Sequence, residues 1–266
     1  MHNLAHLGFK LHPPCPQLQP HIRCYWTMQA PAGPHPTQAE FMHPEGGCGV
    51  IFNFADALLF DGQPYHSPCL LTGPTRQTTR LHLTGQVDAL GVRFNPGKGM
   101  ALFGLPLSDV LDIQASALDI IPSFPGLALA ERLAPLSIAQ RIKRLDQELL
   151  HLLSMDLGAQ QAFTYALTRI QQSNGSQNIQ AMTQDMNISQ RQLERQFGRW
   201  LGLSPKQYSK LQRIQLARQL IKAAGPASLT ELALQAGYYD QAHFIHEFKQ
   251  VVGLTPGQYL KRKRNA

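Results

Sequence analysis

A chain of 266 residues, 43% of them hydrophobic, is long enough for two domains that each bury a core. It holds no run of eighteen apolar residues, which excludes a membrane-spanning helix, and its start, MHNLAHLGFKLHPPCP, lacks the basic-then-apolar signature of a signal peptide. The formal charge of +7 is unevenly placed: residues 160–266 hold 14 Lys/Arg against 5 Asp/Glu, residues 1–159 hold 10 against 12, and the entire positive excess lies in the later part. Cys15, Cys24, Cys48 and Cys69 have no close pairing and are expected to be reduced structural residues, as suits a cytoplasmic protein.

The first hundred residues read as β. In HIRCYWTM, Ile22, Cys24, Trp26 and Met28 alternate with polar or amphipathic positions, the period of a half-buried strand. GVIFNF (49–54), ALLF (57–60) and VDALGVRF (87–94) are further strands, separated by Gly46-Gly47, Asp61-Gly62 and Asn95-Pro96-Gly97 turns. Short strands at this spacing predict a small barrel or sandwich. Trp26, Phe52, Phe54 and Arg93 are the candidate ligand-binding residues. For the aromatics the competing reading is ordinary core. Arg93 lies between Val92 and Phe94, so it either faces out from its strand or points inward to fix an acidic ligand with paired hydrogen bonds. Eight of the eleven histidines precede residue 90, but without a His-x-His pair, so neither metal nor cofactor is expected. The sequence also lacks a G-x-S-x-G nucleophile elbow.

After the strands the pattern turns helical. Ser137, with Gln140 three residues on, caps a helix over 137–153 whose Ile138, Ile142, Leu145, Leu149 and Leu152 step by 4, 3, 4, 3. That stripe serves either a homodimer seam or packing on the chain's own β domain. One more helix spans 160–172, and the polar SNGSQN follows it. The domain boundary is placed near residue 157, giving a β-rich domain over 1–157 and an all-α domain over 158–266.

The second domain is organised around a repeat. A shift of 51 positions puts Leu193 on Phe244, Phe197 on Phe248, and GLSPKQY (202–208) on GLTPGQY (253–259), where Gly, Leu, Pro, Gln and Tyr coincide. Ser189, with Gln192, and Asp240 are helix caps. Behind them Leu193, Phe197, Trp200 and Leu201 form one buried stripe, repeated by Phe244, Phe248 and Val251. The opposite faces carry Gln190, Arg191, Glu194 and Arg195 in the first copy, and Gln241, Ala242, His243, His246 and Glu247 in the second. A short helix capped by Asn178 or Ser228 precedes each, ending at an Asn187 or Gly237 turn. Each unit is thus helix–turn–helix. Between the units, KLQRIQLARQLIKAA is a rigid helical spacer.

NIQAMTQDMNISQRQLERQF, GLSPKQY and SLTELALQAGYYDQAHFIHEFKQVVGLTPGQY resemble the double helix-turn-helix domain of AraC-family transcription regulators. Thr183, Asn187 and His246 depart from residues common at those positions. PEGGCGVIFNF, LLTGP and LGVRFNPGKGMALFGLPLSDVLD are similar to the N-terminal sensory domain of one AraC-family subgroup. The resemblance implies an α+β protein: a β-rich, barrel-like N-terminal domain with helices and a C-terminal all-α double helix-turn-helix. It further implies a non-enzymatic, sequence-specific DNA-binding regulator, an activator by family habit, in the cytoplasm and associated with the nucleoid. Its partners are double-stranded DNA, a small-molecule effector held by the N-terminal domain, RNA polymerase, and a second copy of the chain through that domain.

For DNA, Arg191 and Arg195 reach guanine edges or phosphates, and Glu194 accepts from cytosine or restrains Arg191. Lys206 meets the backbone, Gln241 the backbone and Ala242 a thymine methyl, with His243 and His246 beside them; each charged residue is alternatively a solvated helix face. Two readings of other kinds stay open: an enzyme fused to a DNA-binding module, such as a DNA-repair methyltransferase or metal-dependent barrel enzyme, and a regulator that takes no ligand.

Overall fold

Among the described residues, the β-branched and aromatic runs of the first part form ten strands in two antiparallel sheets. The computed structural model describes residues 8–33, 39–121, 124–153, 161–223 and 228–264. In chain order the strands are β1 (Lys10–His12), β2 (Ile22–Ala30), β3 (Glu40–Met42), β4 (Gly49–Asn53), β5 (Leu58–Phe60), β6 (Gln63–Tyr65), β7 (Cys69–Thr72), β8 (Thr79–Leu83), β9 (Val87–Phe94) and β10 (Gln114–Ser116). One sheet has the order β1-β2-β9-β4-β7-β10 and the other β3-β8-β5-β6. Of the two expected forms, barrel and sandwich, the barrel is corrected: among the described residues the sheets are separate rather than closed into one cylinder. Among the described residues β1, β10, β3 and β6 each pair with one strand only, so both sheets end in free edges rather than a closed hydrogen-bonded ring.

The six-stranded sheet is a middle layer. One face packs Met28, Ile51, Leu70 and Ala89 against Leu58, Phe60, Leu81 and Leu83 of the other sheet. The other face packs Tyr25, Val50, Phe52, Leu71, Leu90, Val92 and Phe94 against helices. This explains a departure in β2. A register shift between Ile22 and Cys24 interrupts the alternation, and both faces of the strand are covered, so Tyr25 and Thr27 are as buried as Met28. Trp26 crosses Gly91 on β9, where a Cβ would overlap the indole.

Helices α1 (Met100–Phe103), α2 (Ala117–Ile120), α3 (Gly126–Leu133) and α4 (Ile138–Leu153) follow. Leu145 and Leu149 of α4 are buried in the chain's own core, and Ile142 and Leu152 pack against it. Of the two uses expected of the stripe, packing within the chain is thus the one in place at Leu145 and Leu149, while Ile138, Ile142 and Leu152 stay half-buried. Arg141, also on α4, pairs with Asp88 through two nitrogens (2.7 and 3.0 Å), donates to the carbonyls of Leu133 and Ala134, and lies 4.0 Å from the Phe54 ring centroid. A buried guanidinium with this many partners is fully compensated. The expected boundary near residue 157 lies outside the described residues.

The later part is helical: α5 (Gln161–Gln172), α6 (Ile179–Asp185), α7 (Gln190–Leu201), α8 (Pro205–Ala223), α9 (Leu229–Gln235), α10 (Gln241–Val252) and α11 (Pro256–Arg264). Its core is continuous with that on the helix side of the middle sheet, running without a break from Leu18 to Tyr259. No helix among the described residues is long and apolar enough to cross a membrane.

Candidate nucleic-acid interface

Local chemistry builds two similar helix pairs. Asn178 caps α6 by accepting from the Ala181 amide, and Ser228 caps α9 by accepting from Glu231. Ser189 and Gln192 form a reciprocal capping box on α7, and the Asp240 carboxylate accepts from the His243 amide on α10 at 2.7 Å. Both longer helices end on a glycine in the left-handed region, Gly202 (φ 76°) and Gly253 (φ 80°). The turns differ by one residue. The first caps, Asn178 and Ser228, are 50 positions apart, and the second caps, Ser189 and Asp240, are 51 apart. Each turn pivots on a positive φ, Asn187 at 51° and Gly237 at 81°. The additional residue sits beside Tyr239, which is fully exposed.

In α7, Leu193, Phe197, Trp200 and Leu201 are buried, with Phe197 5.0 Å from Phe163 of α5 ring to ring. That fixes the opposite face to solvent. Gln190, Arg191, Glu194 and Arg195 are all exposed on it. Glu194 accepts from the Gln190 amide at 2.9 Å, so the neighbour it engages is Gln190 rather than Arg191. Arg199, absent from the expected set, continues the row as an exposed residue. Arg191, Arg195 and Arg199 are spaced four apart, a signal present in the sequence. Among the described residues none of the three has an acidic partner. Lys206, in the first turn of α8, is likewise exposed.

The second copy is more engaged with its own fold. Ala242 and His246 of α10 are exposed. The Gln241 side-chain oxygen accepts from the Thr230 hydroxyl at 2.8 Å, so this residue faces α9 as much as solvent. His243 packs edge-on against Tyr238, with Nε2 3.4 Å from Glu247 Oε1. Glu247, expected on the outer face, is buried: it accepts from the Tyr238 hydroxyl at 2.9 Å and from Arg213 at 3.3 Å, with the Lys210 ammonium 3.4 Å away. Burial alone would push its carboxyl up, but the Tyr238 hydrogen bond with Lys210 and Arg213 outweighs this and holds it below the usual value.

The four candidate ligand residues separate into pairs. Trp26 and Arg93 line a cavity of about 460 Å³ between the sheets. Phe52 belongs instead to the core on the helix side of the middle sheet, and Phe54 lies under Arg141, so those two are corrected to structural roles. Arg93 pairs with Glu45 at 2.8 Å while lining the cavity, which answers why an arginine interrupts an apolar strand. Among the described residues no group of three or more His, Cys, Asp or Glu side chains could hold a metal ion.

Residues 182–262 match a family model described as a helix-turn-helix domain (HTH_18), and residues 10–116 match a domain of unknown function (DUF6597). The helix-turn-helix part of the chain is of the AraC type. It is 38% identical over 84 residues to the transcriptional regulator MtrA of Neisseria gonorrhoeae, covering 32% of this chain and 28% of that protein. It is 32% identical over 79 residues to the transcriptional activator RhaS of Escherichia coli, covering 30% and 28%. The chain thus spans less than a third of the length of these curated relatives. A probable AraC family transcriptional regulator from Rhodopseudomonas palustris is a structural neighbour, 28% identical with a TM-score of 0.35, covering 39% of this chain and 98% of that one.

Proposed function

We propose that this chain is a sequence-specific DNA-binding transcription regulator whose C-terminal half is a double helix-turn-helix. The observation that carries the reading is the exposed row Arg191, Arg195, Arg199 on α7, free of acidic partners among the described residues, in a half that holds 14 Lys/Arg against 5 Asp/Glu. In this reading α7 enters the major groove N-terminus first. There Arg191 and Arg195 address guanine edges, Glu194 positions Gln190 or accepts from cytosine, and Arg199 and Lys206 contact phosphates.

Helix α8, 19 residues and about 28 Å long, joins the two units. A spacer of this length suits α10 to the next groove face about 34 Å along the duplex. Ala242 and His246 face that groove directly. His243 and Gln241, already bonded within the fold, orient the helix and offer only their remaining atoms. One chain thus carries two reading helices, and an asymmetric site needs no dimer. The β-rich half is the sensory part and the cavity behind Arg93 its effector site. RNA polymerase is the partner on which an activator of this kind acts, in the cytoplasm at the nucleoid.

The fused-enzyme reading finds little support in the thiols. Burial pushes Cys48 and Cys69 up to about 12, the reverse of what thiolate chemistry needs.

Selection of duplexes from a random pool by the purified chain tests the proposal. A shared sequence motif is expected with the native chain and none with Arg191→Ala/Arg195→Ala. A folded native chain that enriches no motif contradicts it.

A further inference from the structure

The cavity between the sheets is not closed by the β-rich half alone. Its apolar walls are Trp26, Met28 and Ile51 from the six-stranded sheet and Leu58, Phe60 and Leu81 from the other. One side is supplied by α8, through Gln215, Arg218, Gln219 and Lys222. Its volume of about 460 Å³ falls within the range of about 300–1,000 Å³ usual for small-molecule sites.

The charged side chains on the lining are Arg23, Arg93, Arg218 and Lys222 against Glu40 and Glu45, an excess of two positive charges, with His43 beside them. Arg23 and Arg93 both donate to the same oxygen of Glu45, Oε2, at 2.6 and 2.8 Å. Each pairs through a single nitrogen there, whereas a guanidinium has five N–H donors. Arg218 is buried, and its bond from Nε to the Tyr259 hydroxyl is a long one, 3.4 Å. Burial pushes the Glu45 carboxyl up, but Arg93, Arg23 and Arg218 together hold it below its ordinary value, so all three guanidiniums act on one locus. Two of those cations come from strands and the third from α8.

We propose that this cavity binds an apolar small molecule bearing one anionic group, and that α8, the helix joining the two helix-turn-helix units, completes the site. The apolar body lies between the sheets, and the anion sits among Arg93, Arg23 and Arg218, bridging the β-rich half and α8. The consequence for regulation rests on the DNA-binding reading above. A ligand touching α8 biases the spacing of the two reading helices directly, and by linkage DNA changes the affinity for ligand by the same factor that ligand changes the affinity for DNA.

Fluorescence titration of the full chain with anilinonaphthalenesulfonate, an apolar anion, tests the site without DNA, so failure of DNA recognition leaves it intact. Uncharged phenylnaphthylamine is the control. One saturable site is expected for the anion, with binding at least about tenfold weaker for the neutral probe. Arg93→Gln removes a cation from the strand side. Gln219→Trp, at an exposed position of α8, obstructs the cavity from the helix side without touching the core. Each is expected to weaken the anion by about tenfold while the melting temperature and circular dichroism stay native. Equal binding of the two probes, or unchanged affinity in Arg93→Gln, overturns the anion site. Unchanged affinity in Gln219→Trp overturns the participation of α8.

Discussion

The amide and the hydroxyl of Thr78 both donate to the carbonyl of Val251, at 2.8 and 2.9 Å. Val251 stands in the last turn of α10, where carbonyls lack a partner within the helix. The loop between β7 and β8 thus caps a helix of the later, helical part. His43 Nδ1 lies 2.7 Å from the same hydroxyl; because that hydroxyl donates to Val251, the His43 nitrogen is the donor in this bond. Thr78→Val keeps the amide bond and loses both bonds of the hydroxyl, to Val251 and from His43, which is expected to cost about 2 kcal/mol in urea unfolding. A change within error would mean that the contact carries no load.

The continuity of the core around that contact has a second consequence. Trp26 belongs to the β-rich part and Trp200 to α7, and they are the only two tryptophans. In Trp26→Phe and Trp200→Phe each part reports separately through the remaining indole. Coincident melting curves are expected, because the buried cluster that includes Leu107, Phe163 and Phe197 has no break at which one part could release the other. Two transitions separated by several degrees would show independent folding.

Asn187 holds φ at 51° in the turn between α6 and α7, at the place where the other turn has Gly237. Asn187→Gly is expected to be near neutral, while Asn187→Ala costs about 1 kcal/mol, since a Cβ strains the left-handed region without the local hydrogen bonding of Asn. Equilibrium unfolding of the two variants decides it, and equal midpoints would remove the conformational argument.

Glu247 ties α10 to α8 through Arg213 and Lys210. Its folded-state value lies below the ordinary 4.5, so the carboxylate contributes stability above that pH and loses it as pH falls through the lower, folded value. Glu247→Gln is expected to cost about 2 kcal/mol at pH 7 and to flatten the loss of stability below pH 4.5. An acid limb as steep as that of the native chain would place the titration elsewhere.

Much of the helical part was legible in the sequence because its signals are local. Caps such as Ser189 with Gln192, and stripes such as Leu193, Phe197 and Trp200, fall within two turns of one helix. The β-rich part was legible where strands are long, as in β2, β4 and β9, and illegible in β3, β6 and β10, whose three residues show no period. The choice between barrel and sandwich stayed open for the same reason. Glu247 was misread because helical spacing sets it beside His243 and His246, while the groups that bury it, Arg213 and Lys210, come from α8. The cavity was beyond reach for a related reason: Arg23, Glu45, Arg93 and Arg218 meet from four distant stretches, and only Arg93 stood out by breaking an apolar strand.

In the proposed DNA-binding reading, side chains on α7 and α8 divide by what they contact. Arg195→Ala is expected to lose about 1–3 kcal/mol on the selected site and much less on random duplex, whereas Lys206→Ala weakens both alike and lowers the salt slope by about one. Titrations at several salt concentrations distinguish them. Equal loss on both duplexes for Arg195 would assign it to phosphate.

The claim that one chain reads two successive groove segments is tested most directly by footprinting the native protein on its selected duplex. Protection of two segments about one helical turn apart is expected. The segment assigned to α7 is expected to disappear in Arg191→Ala/Arg195→Ala and the other to weaken in His246→Ala. A single short protected segment, or two that survive the α7 changes intact, would contradict it.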